Sequence, residues 1–574
     1  MKMGKVGLLA SAAAVAMFAA SGAQAAQTKD KKAADKSAVE GSASAAGITM
    51  STPPMQLAQN YPAGPSNAEL AQRLQVLEDA QAASADRASG DHARLSTLEQ
   101  NFNYAVWTYD NGRPVLASGD GRFTMGIRVR FQSDFAGFSQ DATHPNTANG
   151  TPWSGPSDLG SGMVIRRAYF GVEGKVYSDF AYELRLNAGG SDGGSNQTSG
   201  VPNAGEGDPL VNKAVVTYTG IANWHFNVGV LEPALMMEGT TSSASLEFLE
   251  RPEFENIAAD SFGAGDSRRG VEVGWAKTDV LWAGDNLVAD VTFSGNKTGN
   301  SQGHGTGNAP LGGGDEQTQL LGRFSERLWT DGISNIQLGA SFSHIFNSGT
   351  TGNNGTEQIR FRDRPEIRVD GTRLIDTGAI NAQTGDLMAF DLAGNIDNIF
   401  LGGEWSQFSV DRECGSTSVN GCGNVRTVFD HPTFSGWTLE GSWIITGEAR
   451  TYSPTAINNE MGGFNMLVPS KPFSLQGDSW GAWELVARYT DTDLNWHTSQ
   501  AANNTAGILA GIAGGDERVL ALGVNWYLNR NVRVMIDDNI ITVHKGTVAT
   551  ATVAPQATQD QDVNVVGIRV QFAN

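Results

Sequence analysis

From about residue 121 onward, apolar side chains recur at every second position. In Arg122-Phe123-Thr124-Met125-Gly126-Ile127-Arg128-Val129-Arg130-Phe131, the odd-numbered residues Phe123, Met125, Ile127, Val129 and Phe131 share one face. Arg122, Thr124, Arg128 and Arg130 share the other. A period of two is that of a β-strand. The pattern returns in Phe180–Asn187, Asn223–Leu231, Ser479–Asp491 and Asp562–Phe572. About 16 such segments can be read. They start near residues 121, 163, 179, 211, 223, 268, 285, 317, 334, 357, 396, 436, 478, 516, 531 and 561. Long Gly/Asn/Ser-rich stretches such as Ser139–Ser161 and Gly295–Glu316 alternate with tight turns such as Asn529-Arg530-Asn531.

One apolar face, one polar face and alternating short and long connections predict a transmembrane β-barrel. A soluble sandwich or propeller is the alternative. Aromatics near strand ends (Trp224, Trp275, Trp437, Trp443, Trp526 and Phe572) suit an interfacial girdle. Arg and Glu on the opposite face suit a wet lumen rather than a packed core.

The N-terminus reads differently. Lys2 and Lys5, the apolar run Leu8–Ala20 and Ala23-Gln24-Ala25 match a secretory signal peptide over residues 1–25. Residues 26–66 are Ala/Ser/Lys/Gln-rich and read as a disordered linker. Over residues 67–102 a heptad seam runs through Leu70, Leu74, Leu77, Gln81, Ser84, Ala88, Asp91, Leu95, Leu98 and Phe102. Its apolar ends and polar middle predict a short coiled coil. The barrel domain is expected over residues 103–574. Beyond the leader, no apolar run approaches the roughly 18 residues that a spanning helix needs.

Several blocks are similar to the phosphate-selective porin O/P family. They are Met163–Lys175 with its Arg166-Arg167-Ala168, Thr241-Ser242-Ser243 with Phe248-Leu249-Glu250-Arg251, and Arg269-Gly270-Val271. Further blocks are Thr446-Gly447-Glu448-Ala449-Arg450 with Tyr452, Pro469 and Phe473, then Gly481–Tyr489. The resemblance spans roughly 120–574. It implies a 16-stranded outer-membrane barrel, a homotrimer, and a third loop folded into the lumen as a constriction. The partners expected are outer-membrane lipid, lipopolysaccharide and, through the coiled coil, peptidoglycan.

An anion pore needs cationic donors where the solute sheds water, and the planar fork of Arg suits phosphate. By alternation, the inward cations are Arg128, Arg130, Arg167, Lys175, Arg185, Lys213, Arg323, Arg327, Arg488 and Arg569. Arg360, Arg362 and Arg364 alternate with Ile359 and Phe361 and are expected to line the lumen too. The third loop, Glu232–Ser267, is acidic. It holds Glu232, Glu238, Glu247, Glu250, Glu253, Glu255, Asp260 and Asp266 against Arg251 alone. A basic wall facing an acidic loop is the pattern of a general diffusion pore, so phosphate specificity is not carried over. Arg251 is the expected constriction cation.

The remaining signals are weak. Cys414 and Cys422, in a polar loop of an exported chain, are expected to form a disulfide. No metal-ligating motif, cofactor motif or catalytic set stands out. Gly477-Asp478-Ser479 reads as a turn before a strand. The chain carries 40 Lys+Arg against 61 Asp+Glu, which argues against a nucleic-acid binder. The function expected is a passive channel for small hydrophilic solutes or ions, phosphate and other anions among them. The alternative is a surface-binding or structural protein without channel activity.

Overall fold

The computed structural model describes residues 65–102, 106–110, 112–118, 121–143, 159–189, 211–265, 267–297, 316–351, 356–413, 428–454, 463–502, 509–550, 554 and 557–574. The expected signal peptide, almost all of the linker, and Cys414 and Cys422 lie outside these residues.

Sixteen long strands form the barrel. They are β1 Thr124–Thr143, β2 Gly162–Val176, β3 Phe180–Asn187, β4 Val211–Tyr218, β5 Trp224–Leu231, β6 Arg268–Thr278, β7 Asn286–Lys297 and β8 Thr318–Thr330. The second half is β9 Asn335–Asn347, β10 Ile380–Ile396, β11 Ile399–Glu413, β12 Thr433–Ile444, β13 Ala482–Trp496, β14 Ile512–Tyr527, β15 Val532–Gly546 and β16 Ala557–Ala573. Each pairs antiparallel with its neighbours, and β16 pairs with β1 from Ala573↔Arg130 to Asp560↔Thr143. The sheet therefore closes on itself and leaves no open edge, as a backbone in hydrocarbon requires. Asn574 seals the seam at one end. Its N–H donates to the Val129 carbonyl at 3.1 Å and its side-chain oxygen accepts from Val129 N–H at 2.7 Å. A short hairpin, Val106–Asp110 and Arg113–Ala117, precedes the barrel and adds to the start of β1.

Outward side chains are apolar and exposed, among them Phe135, Phe170, Val216, Val228, Leu338, Phe390 and Leu439. In water such a continuous surface would be a liability; around a barrel it is the lipid-facing band.

The expected strand near 357 is not a barrel strand. That stretch forms small pairings (Thr356–Ile359 with β10, Arg362–Asp363 with Ile375–Asp376), and the strand itself starts at Ile380. Ile359 and Phe361 alternate with arginines but bury inside the barrel instead of facing lipid.

The lumen is less wet than expected. Part of it is a dry core. Phe248, Leu249, Phe254, Ile257 and Phe262 pack with Phe361, Ile367 and Ile375, and with Phe408, Phe434, Val519 and Val565 of the wall. Two connections supply the filling, 232–267 and 360–379. Alternation along the wall strands did not reveal them, because the apolar residues that fill the interior come from outside the strands.

Ahead of the barrel, α1 (Asn67–Phe102) is a single helix. Leu70, Leu74, Leu77 and Leu95 on it are each more than half exposed.

Candidate pore lining and the loop inside the barrel

The basic side of the lumen is built from β1, β2, β3, β4 and β16. Arg128 and Arg130 point inward by alternation. Arg130 donates to Ser242 Oγ and Ser243 Oγ, both at 2.7 Å, and lies over the Tyr169 ring. Arg167 donates to Gln132 Oε1 at 2.9 Å. Neither Arg130 nor Arg167 forms an ion pair among the described residues. Arg128 instead pairs with Glu173 at 2.6 Å. Arg185 pairs with Glu183 at 3.5 Å and with Glu232, and Lys213 pairs with Glu183 at 3.1 Å. A cavity among Arg128, Arg130, Arg185, Tyr169, Ser242 and Arg530 opens on this side, at the end of the tight turns.

Arg166 joins the set against the parity of its strand. The β1–β2 register shifts between Gln132 and Ser133, so Arg166 is the extra residue of a bulge and both it and Arg167 are buried. No alternation rule could have found it.

Loop 3, residues 232–267, runs inside the barrel and is fastened to the wall at many points. Arg166 Nε donates to Glu250 Oε1 at 2.7 Å, and Arg569 Nη2 reaches the same oxygen at 3.0 Å. Arg488 donates to the Glu250 carbonyl at 3.0 Å and Arg533 to the Leu246 carbonyl at 2.8 Å. Leu249 N–H donates to Asp537 Oδ2 at 2.7 Å. Burial pushes the Glu250 carboxyl up, but Arg166, Arg167, Arg569 and Arg368 outweigh it and hold it well below the usual carboxylate range.

The loop ends in helix α2 (Glu253–Phe262). Gly263 stops it in the left-handed conformation at φ 88°, and its N–H returns to the Ala258 and Ala259 carbonyls. Arg268 donates to the Asp260 carbonyl at 2.8 Å, placing a cation at the helix C-terminus. At the other end, Glu253 and Glu255 meet carboxyls rather than arginines. Burial first, then Glu366 and Glu517, push Glu253 well above its ordinary value; burial and Glu404 do the same to Glu255. The acidic side is therefore shared between loop and wall, on β11 to β14, and is not a property of the loop alone.

Arg251 sits within the loop. It donates to the Glu238 carbonyl at 2.7 Å and the Thr241 carbonyl at 2.6 Å, so it staples the loop to itself and makes no bond to Glu247 or Glu255. Glu238 lies buried beside it, with its N–H donating to Glu404 at 3.3 Å. Glu247 is gripped by Arg450. Burial raises it to about 7 against the pull of Arg450, with Glu484 adding to the rise. Arg450 comes from 445–481, a long connection at the otherwise tight-turn end of the barrel. It was visible as a family block, but its reach into the lumen was not.

The remaining expected cations divide clearly. Arg323 forks onto Asp391 at 2.6 and 2.9 Å, and Arg488 Nη2 donates to both carboxylate oxygens of Glu366 at 2.9 and 2.8 Å. Arg327 donates to the Gly284 carbonyl at 3.0 Å and covers the Tyr452 ring. Arg360 is bound to Asp376 and is half exposed, while Arg364 is buried. Arg362 sits in the small pairing with Asp376 and Ile375. Lys175 is exposed at the strand end. Alternation missed Arg368, which faces Glu250 at 3.5 Å, and Arg533, although Arg533 is in phase with inward Met535 and Asp537.

A comparison with curated proteins found no match. Among solved structures, the chain is similar to the outer membrane channel DcaP of Acinetobacter baumannii, at 11% identity and TM-score 0.39, over 79% of this chain and 97% of that one. It is similar to OmpT of Vibrio cholerae in its trimer form, at 11% identity and TM-score 0.38, over 79% and 99%. It is also similar to an anion-selective porin from Comamonas acidovorans, at 13% identity and TM-score 0.39, over 78% and 100%. The family model for phosphate-selective porin O and P matches residues 125–573, and the chain belongs to that family.

Proposed function

We propose that this outer-membrane channel passes small hydrophilic solutes passively and favours anions, with loop 3 as its constriction. The observation that carries the reading is the bonding of Arg130 and Arg167. Hydroxyl and amide oxygens hold them, so their charge is not cancelled by a direct carboxylate partner. The cavity beside Arg128, Arg130 and Arg185 lies on this side, whereas α2 and 360–379 pack against β11 and β12 as a dry core. A hydrated anion can exchange water for arginine donors along the open side. Arg128 and Arg185 already have acidic partners, which supports weak general selectivity over tight phosphate capture.

The protein is proposed to work as a homotrimer in lipid and lipopolysaccharide. The exposed leucines of α1 support a trimeric coiled coil that reaches toward peptidoglycan. Planar-bilayer recording in a KCl gradient tests the channel. Conductance in steps of three and a reversal potential on the anion side are expected. Silence would favour a surface-binding role, and a cation-side potential would overturn the anion reading.

A further inference from the structure

Three side chains on three adjacent strands meet on the lumen wall. His225 is on β5, Glu272 on β6 and Asp290 on β7, and all are buried. The pairing explains how they meet. His225 is the register partner of Gly274, and Gly274 is the partner of Asp290. A Cβ at Gly274 would lie 2.0 Å from His225 Cε1 and 2.1 Å from Asp290 Oδ1. The missing side chain leaves the notch into which both lean. Glu272, two residues along β6, completes the group.

Their donor atoms all lie within 4.8 Å of one another. His225 Nε2 is 3.0 Å from Asp290 Oδ1 and 3.6 Å from Glu272 Oε1. Ligands at about 2.0–2.2 Å from a tetrahedral ion sit about 3.3–3.6 Å apart, so one ion fits between them with small adjustments. Glu272 is oriented by Asn227 Nδ2 at 2.6 Å and Thr292 Oγ1 at 3.0 Å, as supporting bonds orient a metal-bound carboxylate. Asp290 is only 1% exposed, yet neither of its oxygens has a hydrogen-bond partner among the described residues. His225 Nε2, 3.0 Å from Asp290 Oδ1, pairs with it only when the ring is protonated. A buried carboxylate whose sole near partner is an imidazole calls for a cation, either a proton on that ring or a metal ion between the two.

We propose that His225, Glu272 and Asp290 bind a divalent first-row transition-metal ion, with water filling the remaining positions. One imidazole with two carboxylates favours such an ion over Mg2+ or Ca2+, which prefer all-oxygen sites. The sequence offers no metal motif because the ligands come from three separate strands. The rival state is a protonated His225 that pairs with both acids and binds nothing.

The test uses the full-length protein in detergent, freed of metal by chelation and dialysed against micromolar Zn2+. One Zn2+ per chain is expected. His225→Ala and the near-isosteric Asp290→Asn should each weaken binding by at least about tenfold. Co2+ should give visible absorption bands in the parent protein that both variants lose. Heat-modifiable gel migration checks that the barrels are folded. The exposed pairs His344–Asp386 and His431–Asp411 are the obvious accidental sites, so His344→Ala and His431→Ala serve as controls. No stoichiometric Zn2+ in the parent protein would overturn the proposal. So would binding unchanged in folded Asp290→Asn, or binding lost in either control.

Discussion

Arg569 of the last strand grips both oxygens of Asp134 of the first through Nε and Nη2, at 2.6 Å each, across the seam that closes the barrel. Both side chains are fully buried. Breaking one partner of such a pair costs about 3–5 kcal/mol, because the other is left as an uncompensated charge. Arg569→Ala should therefore lower the temperature at which the barrel loses its compact gel migration. Arg569→Ala with Asp134→Ala should recover part of the loss. Equal melting of parent and single variant would contradict this.

Among the described residues Arg130 bonds to serine hydroxyls and lies over an aromatic face, so on the proposed reading its charge is available to passing ions. Arg130→Glu should shift the reversal potential toward cation preference. The expected change in permeability ratio is about twofold, the scale of a partly screened charge worth about 0.5 kcal/mol. Arg251→Ala should move selectivity less, since Arg251 is spent on carbonyls of its own loop, and should instead raise the sensitivity of loop 3 to protease.

Glu247 gives loop 3 a pH dependence with a defined sign. Its carboxyl is raised from the ordinary 4.5 to about 7 in the fold. A raised acid contributes its stability fully below the ordinary value and loses it as pH climbs through the raised one. Loop 3 should thus loosen between about pH 5 and pH 8, read as growing open-channel current noise. Glu247→Gln should stay quiet across that range. A loop that instead quietens as pH rises would sink the assignment.

Gly436 on β12 faces α2 at close range. A Cβ there would stand 2.4 Å from Phe254 Cβ and 2.7 Å from its Cγ. Gly436→Ala should push α2 off the wall at a cost of roughly 1–3 kcal/mol, the usual penalty of overpacking. Altered single-channel conductance together with faster proteolysis within 253–262 would register it.

Strands were legible where alternation is strict. The expected starts at 163, 211, 268 and 531 fall within a residue of β2, β4, β6 and β15. The imitation at Arg360-Phe361-Arg362 misled because period two also describes an extended segment buried inside a barrel. Arg569, Arg488 and Arg323 are buried on the face that alternation gives them, since a strand dictates direction. Their partners were hidden, because Glu250, Glu366 and Asp391 lie in other segments that only the closed sheet brings near. Arg166 was hidden by a bulge, and the metal-ligand trio by the separation of its three strands along the chain.

Loop 3 is made early and secured late. Its anchors Arg488, Arg533 and Arg569 lie 238, 287 and 319 residues away from the loop positions they hold. Contacts so distant cannot form until the chain between them is in place. A chain stalled before its final two strands lacks both Arg533 and Arg569, as well as the seam itself. Sealing the wall therefore also completes the fastening of its internal loop, and a half-built barrel lacks both a closed edge and the last of the loop's anchors.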